Sequence, residues 1–419
     1  MAGFDGETYL RLTGEQQLRE GGSIGAVPFS TVLVAAAAAL VAVDAITTAD
    51  ARAIIDDYDL AVTLRKDRHP ISGQAPRPLA PAAPGIGQVR VVPCGRVIDQ
   101  PWGQLTIFYV AFTDHATTLR VELRLDVPSK RFSSGHPGPA GVRRLSVTDS
   151  WGTTATTEFS GSGRIGGSIW HGQYEVRPLL AVDAAWIELL GERVELTARP
   201  ARIETWTEPL PAQDPAVQHL WERVATLNDF HDPHLALEAT ITALVAAGAL
   251  PAHDPRIGAA RAVLAVLRPD DAAPAGSSGD PPEPWPSLLA RWGQTAGPSG
   301  TIAVGSITPS FDGITAAIIE LESRDEHFVI QVELVPSVRT GLPYRDLPDQ
   351  QHLTWWAADN LGNRYLGEQS SWDPRGGRGK GSIGFWPALD TRASSIDLMP
   401  TATTARAVIR VPLPWAEHE

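Results

Sequence analysis

Two glycine-rich stretches of this chain are versions of one another, and that relation constrains the fold more than any other feature. Residues 359–386 read DNLGNRYLGEQSSWDPRGGRGKGSIGFW, and residues 149–170 read DSWGTTATTEFSGSGRIGGSIW. Both open Asp-x-x-Gly, pass through a glycine-rich run, and reach Gly-Ser-Ile and an aromatic. The echo extends outward. ALVAVDAITTADARA at 39–53 matches ALVAAGALPAHDPRI at 243–257, placing Arg52 on Arg256, and RVEL at 120–123 returns as QVEL at 331–334. A period of roughly 200 residues is too long for a stacked solenoid, so the chain reads as a two-part unit written twice.

The predicted fold class is α+β, mainly β: a tandem duplication of a helical hairpin plus an antiparallel β-sandwich. Residues 1–68 form the first helical segment, 69–87 a Pro-rich linker and 88–210 the first sandwich. Residues 211–268 repeat the helical segment, 269–300 form a Pro/Gly/Ser-rich linker and 301–415 the second sandwich. Helix starts carry their own signals. Ser30 is placed to cap the run TVLVAAAAALVAV, Thr47 and Asp50 have capping-box spacing, and Asp-Pro opens helices at 214, 232 and 254. Two such hairpins can pair as a four-helix bundle that joins the halves.

Strand signals begin at Gln88. Residues 119–125, LRVELRL, alternate strictly, with Leu119, Val121, Leu123 and Leu125 inward. Ile107–Phe112 is continuously apolar, which predicts a strand covered on both faces, here by the helical hairpin. Leu145 and Val147 mark the inward face of a later strand, so in the second copy Trp355 and Ala357 point in. Trp356 then points out where the first copy has Ser146, and an outward Trp usually has a partner, either the helical hairpin or another molecule. Trp186 also falls on a predicted inward face.

Composition limits the partners. The formal charge of −13 opposes general nucleic-acid binding, which needs a basic footprint. Cys94 is the single cysteine, leaving no intramolecular disulfide and no Cys-based zinc site. The apolar run 24–43 reaches membrane-spanning length, but Gly25 and Pro28 break it and alanine dominates the rest, so a buried helix is expected. The start MAGFDGET lacks a basic n-region, and the expected location is cytoplasmic.

Several motifs resemble chemical sites without their context. GSGRIG at 161–166 matches a dinucleotide pattern but precedes a strand, and GGSIG at 21–25 matches a nucleophile elbow without an α/β sheet. The Asp-x-x-Gly segments at 149 and 359 read as turns in which Asp bonds its own backbone and Gly takes positive φ. Glu320 and Glu322 read as solvation of an outer sheet face. His231, His234 and Glu238 form a weak metal-like cluster, the last two sharing a helix face. No metal or other cofactor is predicted.

One stretch carries the binding prediction. Trp372, Arg375, Arg378 and Lys380 place three cations and an aromatic in a glycine-rich loop of an acidic protein. With Trp356, they form the candidate binding set, suited to a protein partner with an acidic face. The expected function is a non-catalytic intracellular interaction or scaffold protein using its sandwich loops. The alternative is a ligand-binding or hydrolytic protein acting on a sugar or phosphorylated metabolite, for which thirteen tryptophans offer stacking surface.

Overall fold

The computed structural model describes residues 4–20, 28–66, 86–126, 142, 144–163, 168–198, 203–227, 233–269, 280–294, 296–338, 353–375 and 377–415. The fold is mixed α and β, mostly β, with two barrel-like antiparallel sheets and a set of helices.

Among the described residues, six long helices and a short seventh share one apolar core, and the six long ones come first in the chain. They are α1 (Gly6–Glu20), α2 (Pro28–Ala42), α3 (Thr48–Lys66), α4 (Pro215–Ala225), α5 (Pro233–Ala246) and α6 (Pro255–Leu267). The Asp214 and Asp254 carboxylates accept the backbone N–H two residues on, with proline at the first turn, as the Asp-Pro signal predicts. The Thr47 hydroxyl likewise accepts the Asp50 N–H at 3.2 Å and donates to its carboxylate at 2.6 Å. Ser30 is not the cap it was expected to be, because α2 already begins at Pro28. In α2, Leu33 through Leu40 are buried without interruption, as in a helix surrounded by protein. Its alanines leave little side-chain bulk where it packs on α5. Among the described residues, six long helices and one short one, rather than the expected four, thus share the core that joins the halves. None of the described helices is long and apolar enough to cross a membrane.

The first sheet contains β1 (Val89–Gln100), β2 (Gly103–Thr113), β3 (Thr117–Leu125), β4 (Ser146–Asp149), β5 (Thr154–Gly163), β6 (Ile169–Arg177), β7 (Trp186–Leu189) and β8 (Glu192–Glu195). Their spatial order is β1-β2-β3-β6-β5-β4-β7-β8. After β9 (Glu204–Pro209), the second sheet uses β10 (Gly300–Ile307), β11 (Thr315–Ser323), β12 (Phe328–Val335) and β13 (Thr354–Asp359). It continues with β14 (Arg364–Arg375), β15 (Arg378–Trp386), β16 (Ser395–Thr401) and β17 (Ala405–Pro412). The order β10-β11-β12-β15-β14-β13-β16-β17 repeats the first sheet strand for strand, and β9 pairs with β17 as a ninth strand. Sequence order alone groups β9 with the first sheet; hydrogen bonding places it on the second.

Short strands at this spacing predict a sandwich, but each half is one continuous sheet that curls around its own core. Arg90 ties the two ends of the first sheet together. Its guanidinium donates to the carbonyls of Val182 at 2.5 Å, Ala184 at 3.2 Å and Leu196 at 2.6 Å. Leucines 119, 123 and 125 and Val121 are buried, while Arg120, Glu122 and Arg124 face outward as the alternation requires. Trp186 departs from its expected inward position: Ile187 and Leu189 are the buried neighbours, and Arg193 lies over the Trp186 ring.

The outer face of Ile107–Phe112 is covered by the second sheet rather than by the helical hairpin. Val91, Tyr109 and Ala111 pack with Ala303 and Ile319, bringing β1 against β10. Both strands bulge at matching places, Pro93/Arg96 and Ala303/Ser306, around glycines with φ of +58°. A Cβ at Gly305 would lie 3.0 Å from the Val91 side chain, so this glycine permits the close approach of the sheets.

Register also corrects the glycine-rich echo. Arg120 pairs with Gln173 and Val121 with Gly172; their counterparts Gln331 and Val332 pair with Ser382 and Gly381. Gly381 therefore occupies the place of Gly172, and the two Gly-Ser-Ile strings do not superpose.

Candidate functional site

The stretch expected to be a mobile cationic loop is strand. β14 and β15 form a hairpin paired to its last residues, Arg375 opposite Arg378. The Trp372 ring lies flat over the β15 backbone, where a Cβ on Gly379 would sit 2.0 Å from the indole. Glycine is needed there because the ring packs against the second sheet's core. Arg378 donates to Glu333 at 2.9 Å, and Lys380 pairs in register with Glu333 and Asp373. The backbone of Arg375 closes the hairpin; its side chain lies outside the described residues.

This hairpin borders a cleft of about 620 Å³ between the two sheets. The second sheet contributes Arg378, Lys380 and Asp373, and the first contributes His115, Glu175 and Arg177. His115 Nε2 lies 3.4 Å from Glu333, which it shares with Arg378. Neither sheet alone makes this cleft. Deeper in the junction, Arg120 meets Glu322 at 2.7 Å and Glu320 at 3.6 Å. Glu320 was expected on a solvated face but is 1% exposed. Burial holds its carboxyl above the usual range, against the attraction of Arg120. Burial and the facing Glu320 likewise push the Tyr109 phenol well up.

Trp356 is separated from this cleft and has an internal cover. Its ring meets Trp285 edge-on, with centroids 5.0 Å apart at 84°, and Trp285 meets Trp221 at 5.6 Å. Trp285 belongs to α7 (Trp285–Leu289), and Trp221 to α4. Together with Thr354 and Thr401 they line a cavity of about 450 Å³ between the helices and the second sheet. The two neighbouring indoles come from α4 and α7, and Arg256 of α6 also lines the cavity. Trp356 alone was legible from the comparison of the copies. Trp221 and Trp285 carried no signal beyond their residue type, since helix α7 falls inside a segment that reads as linker.

The remaining candidates have structural partners. The Asp149 carboxylate accepts N–H groups of Trp151, Thr153 and Ala181. Asp359 accepts those of Leu361 and Asn363 and the Tyr365 hydroxyl. Gly152 and Gly362 follow with φ of +80° and +86°, so both segments are turns of the expected kind. Glu238 receives both Nε and NH2 of Arg261, at 2.7 and 2.6 Å. His234 begins α5 one turn earlier, and His231 lies outside the described residues. Among the described residues no group of three potential ligands is placed to hold a metal ion. Residues 21–25 and 164–166, from the two glycine patterns, lie outside the described residues; Gly161–Gly163 are strand.

The fold and its two cavities define an antiparallel β-rich protein with twinned sheets. No protein-family model matches the chain, and no curated protein matches it. Among solved structures it is similar to the crystal structure of the conserved domain protein from Bacillus anthracis, at 10% identity and a TM-score of 0.21. That match covers 75% of this chain and 78% of the other, and at that score it carries no argument about fold or activity.

Proposed function

We propose that this chain is a non-catalytic interaction protein, built by tandem duplication of a helical segment and a barrel-like sheet, which binds a protein partner with an acidic face at the junction of its sheets. One observation carries the reading: the cleft beside the β14–β15 hairpin collects Arg378 and Lys380 from one sheet and His115 and Arg177 from the other. In a chain of formal charge −13 the cleft is a local concentration of cations, Arg177, Arg378 and Lys380, matched in number by Glu175, Glu333 and Asp373, and these cations are the groups that an acidic surface would engage. The cleft also uses both copies at once, which gives the duplication a purpose at this surface.

The test must spare residues that hold the fold. Trp372 packs against the core and Arg378 pairs with buried Glu333, so their loss would unfold the hairpin. Arg177 and Lys380 line the cleft from its two sides. The purified chain and its Arg177→Glu/Lys380→Glu variant are compared for capture of proteins from native lysate. A stoichiometric acidic protein retained by the wild type, released by moderate salt and lost from the variant is the expected result. Equal retention by both chains, or retention by neither, overturns the reading.

A further inference from the structure

Helix α4 is loaded unfavourably on both of its faces. Ala216, Leu220, Arg223 and Val224 are buried on the inner one, and Arg223 is only 1% exposed. Leu220 and Val224 belong to the apolar core shared with α2, α5 and α6, so the guanidinium sits beside groups that cannot solvate it. Its Nε and Nη1 make no hydrogen bond among the described residues. The adjacent carboxylate, Glu222, is engaged by Gln218 at 2.9 Å and by His219 at 3.3 Å. Burial disfavours the charged form of Arg223, against an attraction from Glu222. An arginine does not give up its proton in a protein, so the charge stays, and an unpaired charge is among the costliest groups to keep in a core.

The outer face is loosely backed. Val217, Gln218, Trp221, Glu222 and Ala225 border the cavity of about 450 Å³ between the helices and the second sheet. Side chains along an open space lose dispersion contacts on that side. The Trp221 Nε1 is also buried without a hydrogen bond. The neighbouring helices carry no such load at matching positions. Thr240 of α5, equally buried, donates to the Ala236 carbonyl at 2.8 Å, and Glu238 of α5 holds Arg261 of α6 through two bonds. Neither tie, nor the packing of α2 on α5, passes through α4.

The two ends of α4 are held differently. On the N-terminal side the Leu210 N–H donates to the Thr404 carbonyl, and residues 211–214 are then exposed and irregular up to the helix. On the C-terminal side Arg268 donates to the Leu227 carbonyl and reaches Glu368 of β14 at 3.3 Å. One end is pinned and the other is joined by an extended lead.

We infer that α4 is a hinged strap that swings off the α2–α5–α6 core about its pinned C-terminal end, carrying Arg223 into water and opening the core beside the cavity. Burial of Ala216, Leu220 and Val224 favours the closed form, and hydration of Arg223 favours the open one. The opposition lets α4 open while the rest of the fold stays formed.

Peptide-resolved hydrogen–deuterium exchange of the full chain reads the opening. Amides of α4 are expected to exchange at least about tenfold faster than those of α5. Arg223→Met keeps a long side chain without the charge and is expected to slow α4 exchange by about tenfold or more, because the open form no longer gains a hydrated guanidinium. Native-state thiol labelling decides the matter if that variant does not fold. Ala216→Cys on α4 is expected to be labelled about tenfold faster than Ala243→Cys on α5, although both positions are buried. Three results each overturn the inference: equal exchange in α4 and α5, α4 exchange in Arg223→Met as fast as in the wild type, or equal labelling at positions 216 and 243.

Discussion

Arg90 should be worth far more to this fold than a half-buried arginine usually is. It reaches from β1 to three carbonyls in the segment around β7 and β8, two of them at 2.5 and 2.6 Å, and its guanidinium stacks 5.5 Å from the Phe112 centroid. A hydrogen bond from a charged donor contributes about 1.5–3 kcal/mol, and a carbonyl left dry and unpaired costs a similar amount. Arg90 is only half-buried, so solvent recovers some of that loss in the variant. Arg90→Ala is therefore expected to destabilise the protein by about 3–4 kcal/mol. Arg90→Lys should recover about a third, because one ammonium cannot span carbonyls that the planar fork joins. Urea denaturation of the full chain measures the loss. Hydrogen–deuterium exchange locates it: amides of β1 and β8 should exchange faster while those of β12 and β15 do not. A loss below about 1 kcal/mol, or a lysine variant as stable as the wild type, would refute the idea that Arg90 closes the first sheet.

Two further perturbations probe the sheet junction. Gly95 and Gly305 share φ of +58°, but only Gly305 has a neighbour in reach, the Val91 side chain. Alanine at Gly95 should cost about 1–2 kcal/mol from backbone strain alone. Alanine at Gly305 should cost about 1–3 kcal/mol more, and a Val91→Ala background should relieve only part of that excess, because it removes Cγ2 but leaves the Val91 Cβ at 3.0 Å and the backbone N at 3.2 Å. Equal Tm losses at the two glycines would show that the sheets do not press together there. Glu320 gives a pH signature. Its folded carboxyl is raised by burial, so its contribution is most favourable below the unfolded value and is lost as pH rises through the folded one. Glu320→Gln should therefore gain stability over the wild type at pH 8, and the gain should vanish near pH 4. A variant less stable than the wild type at pH 8 would mean that the Arg120 pairing outweighs the desolvation.

Local signals were legible wherever one residue type answers one backbone need. Asp214 and Asp254 cap because their carboxylates reach N–H groups that no helix can satisfy, and Asp149 and Asp359 bend their turns for the same reason. Period-two alternation gave the inward faces of β3 and β13, and the comparison of copies gave Trp356 a cover. These short-range rules held at the positions named, whereas the structure overrode the expected Ser30 cap and the expected inward face of Trp186.

What covers each face could not be read locally. An apolar strand face such as Val91, Tyr109 and Ala111 requires burial but does not say whether a helix or another sheet provides it. The tertiary structure chose the second sheet there, and left the helices to one another and to Trp356. The same limit applied to charge. Glu320 and Arg378 look like solvated groups in sequence, because their partners Arg120 and Glu333 are far along the chain. The repeated pattern belongs to the sequence because the chain aligns with itself, and the Asp caps, the turns and most of the strand periodicity belong to it because each is decided within a few residues. Sheet closure, the meeting of the sheets and both cavities belong to the tertiary structure, since each joins residues that only folding brings together.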